Sequence, residues 1–238
     1  MKAFTFNGIS KPYLIPLKGS NRQPWAPIEW TFKEAIKRPG ALLINKNTKV
    51  RTLSIPVFLK AESIEDLQKL KEDLAEWLIH DEPKPLIFDD EPDRIYYAVV
   101  DGSFEPDEIL RWGQGVIPFV CPDPYKYGDE ETIKLGGFPI RNEGTVEASP
   151  IFSAKFSAAA SEFIITHENG KSVRIISNFS VNDLLVVDMD KRKVTINNDV
   201  RMTALDLNSN WFRLQPGENV ITISLGAITT IKFRPRWL

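Results

Sequence analysis

Apolar residues along this chain recur with two periods. In RTLSIPVFLK (51–60), Leu53, Ile55, Val57 and Leu59 alternate with other residues, the period-two pattern of a half-buried strand. In SIEDLQKLKEDLAEWLIH (63–80), Ile64, Leu67, Leu70, Leu74, Trp77 and Leu78 recur at spacings of three and four, one apolar stripe on a helix. Ser63 is placed to cap that helix and Asp66 stands where a capping-box acid belongs. Glu65 and Asp66 suit the positive end of the helix dipole, and His80 suits the negative end. Pro83 and Pro85 stop it. PLIFDD (85–90), RIYYAVVDG (94–102) and GVIPFVCP (115–122) read as further strands, with weaker ones at 4–9 and 41–44.

A second block begins near Gly136–Gly137. FIITHENGKSVRII (163–176) reads as two strands around Asn169–Gly170, a pair favoured in type I′ turns. DLLVVDMDKRKVTIN (183–197) and WFRLQPGENVITISL (211–225) repeat the pattern, the latter turning at Pro216–Asn219. TTIKFRPRWL (229–238) is a last strand. Strands and turns at this spacing, without a helix pattern, predict a β-sandwich over 138–238. The fold class is mainly β with one long helix, in two domains, 1–137 and 138–238.

Composition narrows the function classes. The chain has 238 residues with 42% apolar and 26% charged residues, enough apolar surface for packed cores rather than disorder. Net charge is −2, which excludes a generic nucleic-acid binder. Residues 1–137 carry −4 and residues 138–238 carry +2. The opening MKAFTFNGIS lacks a signal-peptide core and no apolar run reaches membrane-span length, so folding in a cytoplasm is expected.

Catalytic and metal motifs are thin. Six acids crowd DEPKPLIFDDEPDR (81–94), but their spacing fits no EF-hand, and a solvated turn locked by Arg94 pairing with Asp90 or Glu91 is the plainer reading. Asp188 and Asp190 read as turn chemistry in the same way. His80 and His167 lie 87 residues apart with no zinc-ligand pattern. Cys121, the lone cysteine, sits between an apolar run and a proline and reads as a buried structural thiol. Gly113–Gln114–Gly115 reads as a tight turn. No catalytic residue, cofactor site or metal site is assigned. A glycosidase would need two facing carboxyls, and nothing singles out such a pair.

The aromatics carry more. The stretch KGSNRQPWAPIEWTFKEAIKRPG (18–40) holds three prolines, Trp25 and Trp30, and reads as an extended arm or hairpin lying on a neighbouring subunit. An Asp between two prolines, Asp123, is expected to fix a turn through its side chain. Trp211 and Trp237 are the tryptophans considered for exposure and for stacking on sugar rings, the mark of a carbohydrate-binding module.

Several passages then resemble one family. FTFNGIS, RTLSIPVFLK, LAEWL, LIFDDEPDRIYYAVVDG and GQGVIPFVCPDPYKYG follow in order, and LLVVDMDKRKVTINN, SNWFRLQPGEN and KFRPRWL close the chain. This is similar to the distal tail (Dit) family of long, flexible-tailed phages and related prophages, DEPDR-x-Y and CPDPY-x-Y being the most specific pieces. The resemblance implies a non-enzymatic tail-tip hub in the virion. It implies a homo-hexameric ring, single or stacked in two, around a DNA channel. Expected partners are the tail tube protein and the adhesion, baseplate or receptor-binding proteins, with no sequence-specific nucleic acid and no membrane. The N-terminal domain would form the ring with a β-sandwich or split-barrel-like body, helix 63–80 and the arm. The C-terminal domain would be a galectin-like β-sandwich. Trp25, Trp30, Asp90, Arg94, Cys121, Asp123 and Tyr125 are the candidate interface or structural-turn residues.

Overall fold

In the computed structural model, residues 4–34, 36, 39–134, 136, 139–224 and 227–238 are described, Ile109 by its backbone alone. Residues 35, 37 and 38 of the expected arm, Gly137 at the expected boundary and Leu225 at the end of the third expected hairpin lie outside them.

Arg51–Lys60 buries alternate residues as its pattern predicts: Leu53, Ile55, Val57 and Leu59 are all inside. It pairs antiparallel with Trp112–Cys121 over ten residues, from Lys60 opposite Trp112 to Arg51 opposite Cys121. The sheet runs in the order Phe4–Phe6, Lys84–Phe88, Glu91–Val100, Trp112–Cys121, Arg51–Lys60, Leu14–Pro16. Gly113 and Gly115 lie inside its long strand rather than in a turn. A Cβ on Gly115 would come within 2.7 Å of the Phe104 ring, and one on Gly113 within 3.3 Å of Pro106, so close packing explains the glycines.

The helix is Ile64–Leu78. Ser63 Oγ accepts from the Asp66 N–H at 3.0 Å, and Asp66 reaches back to accept from the Glu62 N–H at 2.9 Å. Leu67, Leu74, Trp77 and Leu78 are buried and Leu70 packs beside them, while Ile64, expected on the stripe, is exposed. Full burial of such side chains contributes about 1.5–3 kcal/mol each. Trp77 stacks on Phe4 and donates its indole N–H to the Phe6 carbonyl at 3.0 Å, fastening the helix to the first strand. His80, beyond the helix end, stacks on Phe6.

Asp73 ties the helix to the loop before Leu14. Lys11 donates to it at 2.7 Å and Tyr13 bonds its other oxygen. Hydrogen bonds from Lys11, then Tyr13, hold the carboxyl below the usual range. A lowered folded-state pKa stabilises the fold above the unfolded value of about 3.9, and that gain is lost as pH falls through the folded value. Asp73 is substantially exposed, so Asp73→Asn is expected to cost only about 0.2–1 kcal/mol at pH 7. Urea unfolding at descending pH should show the two chains converging below about pH 4. A difference that persists at pH 2 overturns this assignment.

Compactness divides the chain into one unit reaching Lys126 and another of Tyr127–Trp237. The division falls before the 137/138 boundary expected from composition, because Glu131–Lys134 pairs with Ala227–Phe233 and so belongs to the second unit. That unit has one sheet in the order Glu131–Lys134, Ala227–Phe233, Ile151–Phe156, Leu184–Asp188, Lys193–Ile196, Asp199–Val200. Ser172–Phe179, Ala160–His167 and Ile221–Ile223 make another. Their inner residues form one core, in which Phe156 of the first sheet stacks on Phe179 of the second at 4.1 Å and meets Phe163 edge-on. This is a β-sandwich, and the chain as a whole is mainly β with one long helix.

Turn chemistry departs from the sequence reading at two places. The loop at 168–170 has three residues: His167 N–H bonds Lys171 C=O, Gly170 N–H bonds His167 C=O, and Gly170 alone has positive φ. That is a bulged turn rather than type I′. The two-residue turn with both φ positive is Asn197–Asn198, at +49° and +69°. Gly217–Asn219, expected as a turn, is instead a strand paired with Ile140–Asn142. Asn219 makes this possible: its buried amide donates to Gln215 and Gly217 carbonyls and accepts from Gln215 N–H. His167 Nδ1 accepts from the Asn169 N–H, which leaves Nε2–H to donate to Asn219 at 3.0 Å. A 3₁₀ turn at Met202–Ala204 is, among the described residues, the second unit's departure from strands and loops.

Candidate assembly surface

The expected arm at 18–40 is two structures. Asn21–Arg22 pairs with Ser54 and Leu53 and belongs to the sheet. Beyond it, Ile28–Glu34 and Ala41–Thr48 pair with each other as a separate two-stranded ribbon, so the arm reaches to 48. The ribbon has a register shift: Thr31 opposes Asn45, Phe32 opposes Leu43, and Ile44 is the extra residue. Trp30, Phe32 and Leu43 share one face, with Lys46 opposite Trp30 and its ammonium over that ring. Trp30, Phe32, Leu42, Leu43 and Ile44 are 43–61% exposed, and Trp25, before the ribbon, is 59% exposed. A lone two-stranded ribbon is marginal in water, and a run of large apolar side chains on one is a surface built to be covered.

The root of the ribbon is fixed by the two passages that stood out in the sequence. Arg51 lies on the buried phase of its strand, in step with Leu53, and is fully buried. Its Nε donates to the Pro124 carbonyl at 2.9 Å and its Nη1 to the Gln23 carbonyl at 2.6 Å. One guanidinium thus holds the segment leading to the ribbon against the CPDPY turn. Asp123 shapes that turn as expected from its place between prolines, accepting from the Tyr125 N–H at 3.1 Å. Cys121 is buried beside Arg51's strand, and burial pushes its thiol up to about 12, an unreactive thiol at neutral pH.

The acid-rich stretch supplies the other restraint. Arg22 forks onto Asp90, with Nη1 at 2.7 Å from one oxygen, and lies 4.5 Å over the Phe88 ring. The hydrogen bond that Arg22 donates to Asp90 is the main cause raising its pKa above the ordinary value. Glu91 accepts from Lys126 at 2.7 Å and from Tyr96 Oη at 2.8 Å. Burial, then Glu91, pushes the Tyr96 phenol upward. Arg94 engages Asp93 at 2.6 Å, and Asp90 and Glu91 serve Arg22, Tyr96 and Lys126. The carboxylates of 90, 91 and 93 are thus held by protein cations and a phenol. Among the described residues no three His, Cys, Asp or Glu side chains are grouped to hold a metal ion, and no helix is long and apolar enough to cross a membrane.

The structure brings Asp90, Cys121, Asp123 and Tyr125 to the root of the ribbon and places Trp30 on it. Arg22 and Arg51, which do the fastening, escaped the sequence reading. The signal was present for Arg51 in its apolar phase within RTLSIPVFLK. Trp211 and Trp237, considered for exposure, are both half-buried: Trp211 packs on the second core, and Trp237 lies over Gly128, where a Cβ would come within 3.0 Å of its ring.

Two family models match this chain, one in each part. Residues 9–121 match the phage tail protein RIFT-related domain, and residues 143–237 match the C-terminal domain of the siphovirus-type tail component. A β-rich body with an uncovered ribbon, followed by a β-sandwich, is therefore the build of a phage tail structural protein. The distal tail protein of Bacillus phage SPP1 is 30% identical over 206 residues, 84% of this chain and 81% of that one, and this chain belongs to the distal tail protein family. The crystal structure of SPP1 Dit, described as a paradigm of the hub adsorption apparatus in phages infecting Gram-positive bacteria, has the same fold, with a TM-score of 0.87 at 21% identity and full coverage of both chains. A chain of the phage P2 baseplate in its activated conformation with Ca matches more loosely, with a TM-score of 0.54 at 8% identity over 98% of this chain and 97% of that one. The protein is a structural component of a phage tail.

Proposed function

We propose that this chain is the tail-tip hub, closing head-to-tail into a homo-hexameric ring that joins the tail tube to the adhesion or baseplate proteins. The carrying observation is the ribbon of Ile28–Glu34 and Ala41–Thr48, whose Trp30, Phe32 and Leu43 share an uncovered face while its root is clamped by Arg51 and Arg22. A rigidly rooted apolar arm suits a heterologous contact, in which each subunit covers the arm of the next and rotation closes the ring. The first domain makes the ring and the second is a galectin-like sandwich, the division lying between the two family matches. The net charge of −4 over residues 1–137 disfavours retention of DNA in the central channel. Assembly takes place in the host cytoplasm and the product is a part of the virion without catalytic activity.

Light scattering on the purified chain tests the ribbon. The wild type is expected at about six times 27.1 kDa, or twice that for two stacked rings. The variant Trp30→Glu, Phe32→Glu, Leu43→Glu alters exposed positions only, so it should keep its thermal midpoint and run as a monomer. Equal masses for both chains overturn the proposal.

A further inference from the structure

The second unit carries an open groove of about 410 Å³ where hairpin ends of its two sheets come together. Its walls are the loop after His167, the loop Met189–Arg192 between Leu184–Asp188 and Lys193–Ile196, and the segment 211–215. Trp211, half-buried, packs on the core and has its edge at this groove, whose lining is otherwise mainly polar. Lys171, Arg192 and Arg213 line it too, each from a different wall, and all three are exposed.

Elsewhere in the same unit Arg141, Arg174, Arg201 and Lys232 have carboxylate partners, at 2.8, 2.6, 3.9 and 3.0 Å. Among the described residues, Lys171, Arg192 and Arg213 have none within 4.0 Å. Lys155, Lys191 and Lys193 of this unit likewise have no carboxylate within 4.0 Å among the described residues, so what distinguishes Lys171, Arg192 and Arg213 is that they converge on one groove. The two carboxylates of the groove are engaged by neutral donors instead: Glu147 accepts from Gln215 at 2.9 Å and Asp190 from Ser149 at 3.1 Å. Arg192 is also held at φ +50°, a left-handed conformation that costs a non-glycine residue about 1 kcal/mol. The turn that holds it there is built by Asp188, which accepts from the N–H groups of Asp190 and Lys191. Strain of this kind persists where the surroundings over-determine it and is concentrated at sites that bind.

We propose that this groove binds an acidic glycan. A sugar ring packs against Trp211, whose indole suits the apolar side of a pyranose. The ligand's phosphate or carboxylate is taken by Arg192 and Arg213, whose planar forks match either anion, with Lys171 adding charge. Asn169, on the same wall as Lys171, offers an amide to ring hydroxyls. The inference rests on the second unit alone and is independent of ring formation.

Calorimetric titration of the full chain tests it with three probes: polygalacturonate oligomers, a glucosylated glycerol-phosphate polymer, and neutral dextran. At least one acidic polymer is expected to bind, and which one identifies the acid group recognised. Dextran is expected not to bind. Arg192→Glu with Arg213→Glu should weaken binding about tenfold or more, with an unchanged thermal midpoint because both residues are exposed. Lys171→Glu, on another loop, is the second variant should the first unfold. Trp211→Phe keeps an aromatic ring and should weaken binding less than the charge reversals. No binding of either acidic polymer, equal binding of dextran, or indifference to the charge reversals overturns the proposal.

Discussion

Replacing Arg51 by alanine is expected to destabilise the first unit by about 3–5 kcal/mol, the cost of a large buried truncation together with two orphaned carbonyls. The residue is fully buried and its guanidinium satisfies the carbonyls of Gln23 and Pro124 at 2.6 and 2.9 Å. The net worth of such a group is not obvious, because a buried cation carries a desolvation cost that a hydrophobic replacement avoids. Its Nη2 has no partner among the described residues, and neither has the buried Gln23 Oε1. Arg51→Met separates the two effects. It refills most of the volume and removes the charge, but leaves both carbonyls without a donor, so a loss of roughly 1–3 kcal/mol is expected. Urea unfolding of the three chains at neutral pH reads the difference. A methionine variant as stable as the wild type would show that the clamp contributes nothing beyond packing. If the clamp positions the ribbon, both variants should also weaken assembly, at temperatures well below their midpoints.

The second large effect is expected at Gly144. A Cβ there would stand 2.4 Å from the Arg236 carbonyl oxygen and 2.6 Å from its amide nitrogen. Both are backbone atoms, so no side-chain rotation relieves the clash. The N–H groups of Thr145 and Val146 bond that same carbonyl, at 2.9 and 3.1 Å, and the Gly144 N–H bonds Asn142 Oδ1 at 3.0 Å. Moving the Arg236 segment away therefore breaks the bonds that hold it. Gly144→Ala is expected to cost about 3 kcal/mol or more, at the upper end of overpacking effects. Gly170→Ala is the comparison. Gly170 has open space around its Cα but φ of +82°, so its cost is the backbone term alone, about 1–2 kcal/mol. Calorimetric scans of the two variants should rank Gly144 well above Gly170. The reverse order would show that the chain around Arg236 yields easily.

The places of many strands along the chain, the helix with its cap, and the presence of two β units were legible because each depends on local periodicity. Leu53, Ile55, Val57 and Leu59 declare a strand by alternation, and Ser63 with Asp66 declares where the helix starts. Asp123 was legible for the same reason, since its bond spans only two residues, to Tyr125. What escaped depends on partners distant in sequence. Gly113 and Gly115 resemble a turn until Phe104 and Pro106 are seen packed on their strand. Gly217–Asn219 resembles a turn until Ile140–Asn142 supplies a partner and Asn219 a buried network. The unit boundary moved for the same reason, because Glu131–Lys134 has its partner about a hundred residues later, in Ala227–Phe233.

The assembly surface divides along that line. By itself the sequence determined that two tryptophans sit in a proline-broken stretch unsuited to a core, and that DEPDR and CPDPY are distinctive. Only the tertiary structure decided that the stretch is part sheet strand and part free ribbon, that the ribbon extends to Thr48, and that Arg22 and Arg51 join its root to both passages. The physical reason is that hydrophobic period reports which face of an element is buried, whereas a buried charge is placed by acceptors that folding alone brings within reach.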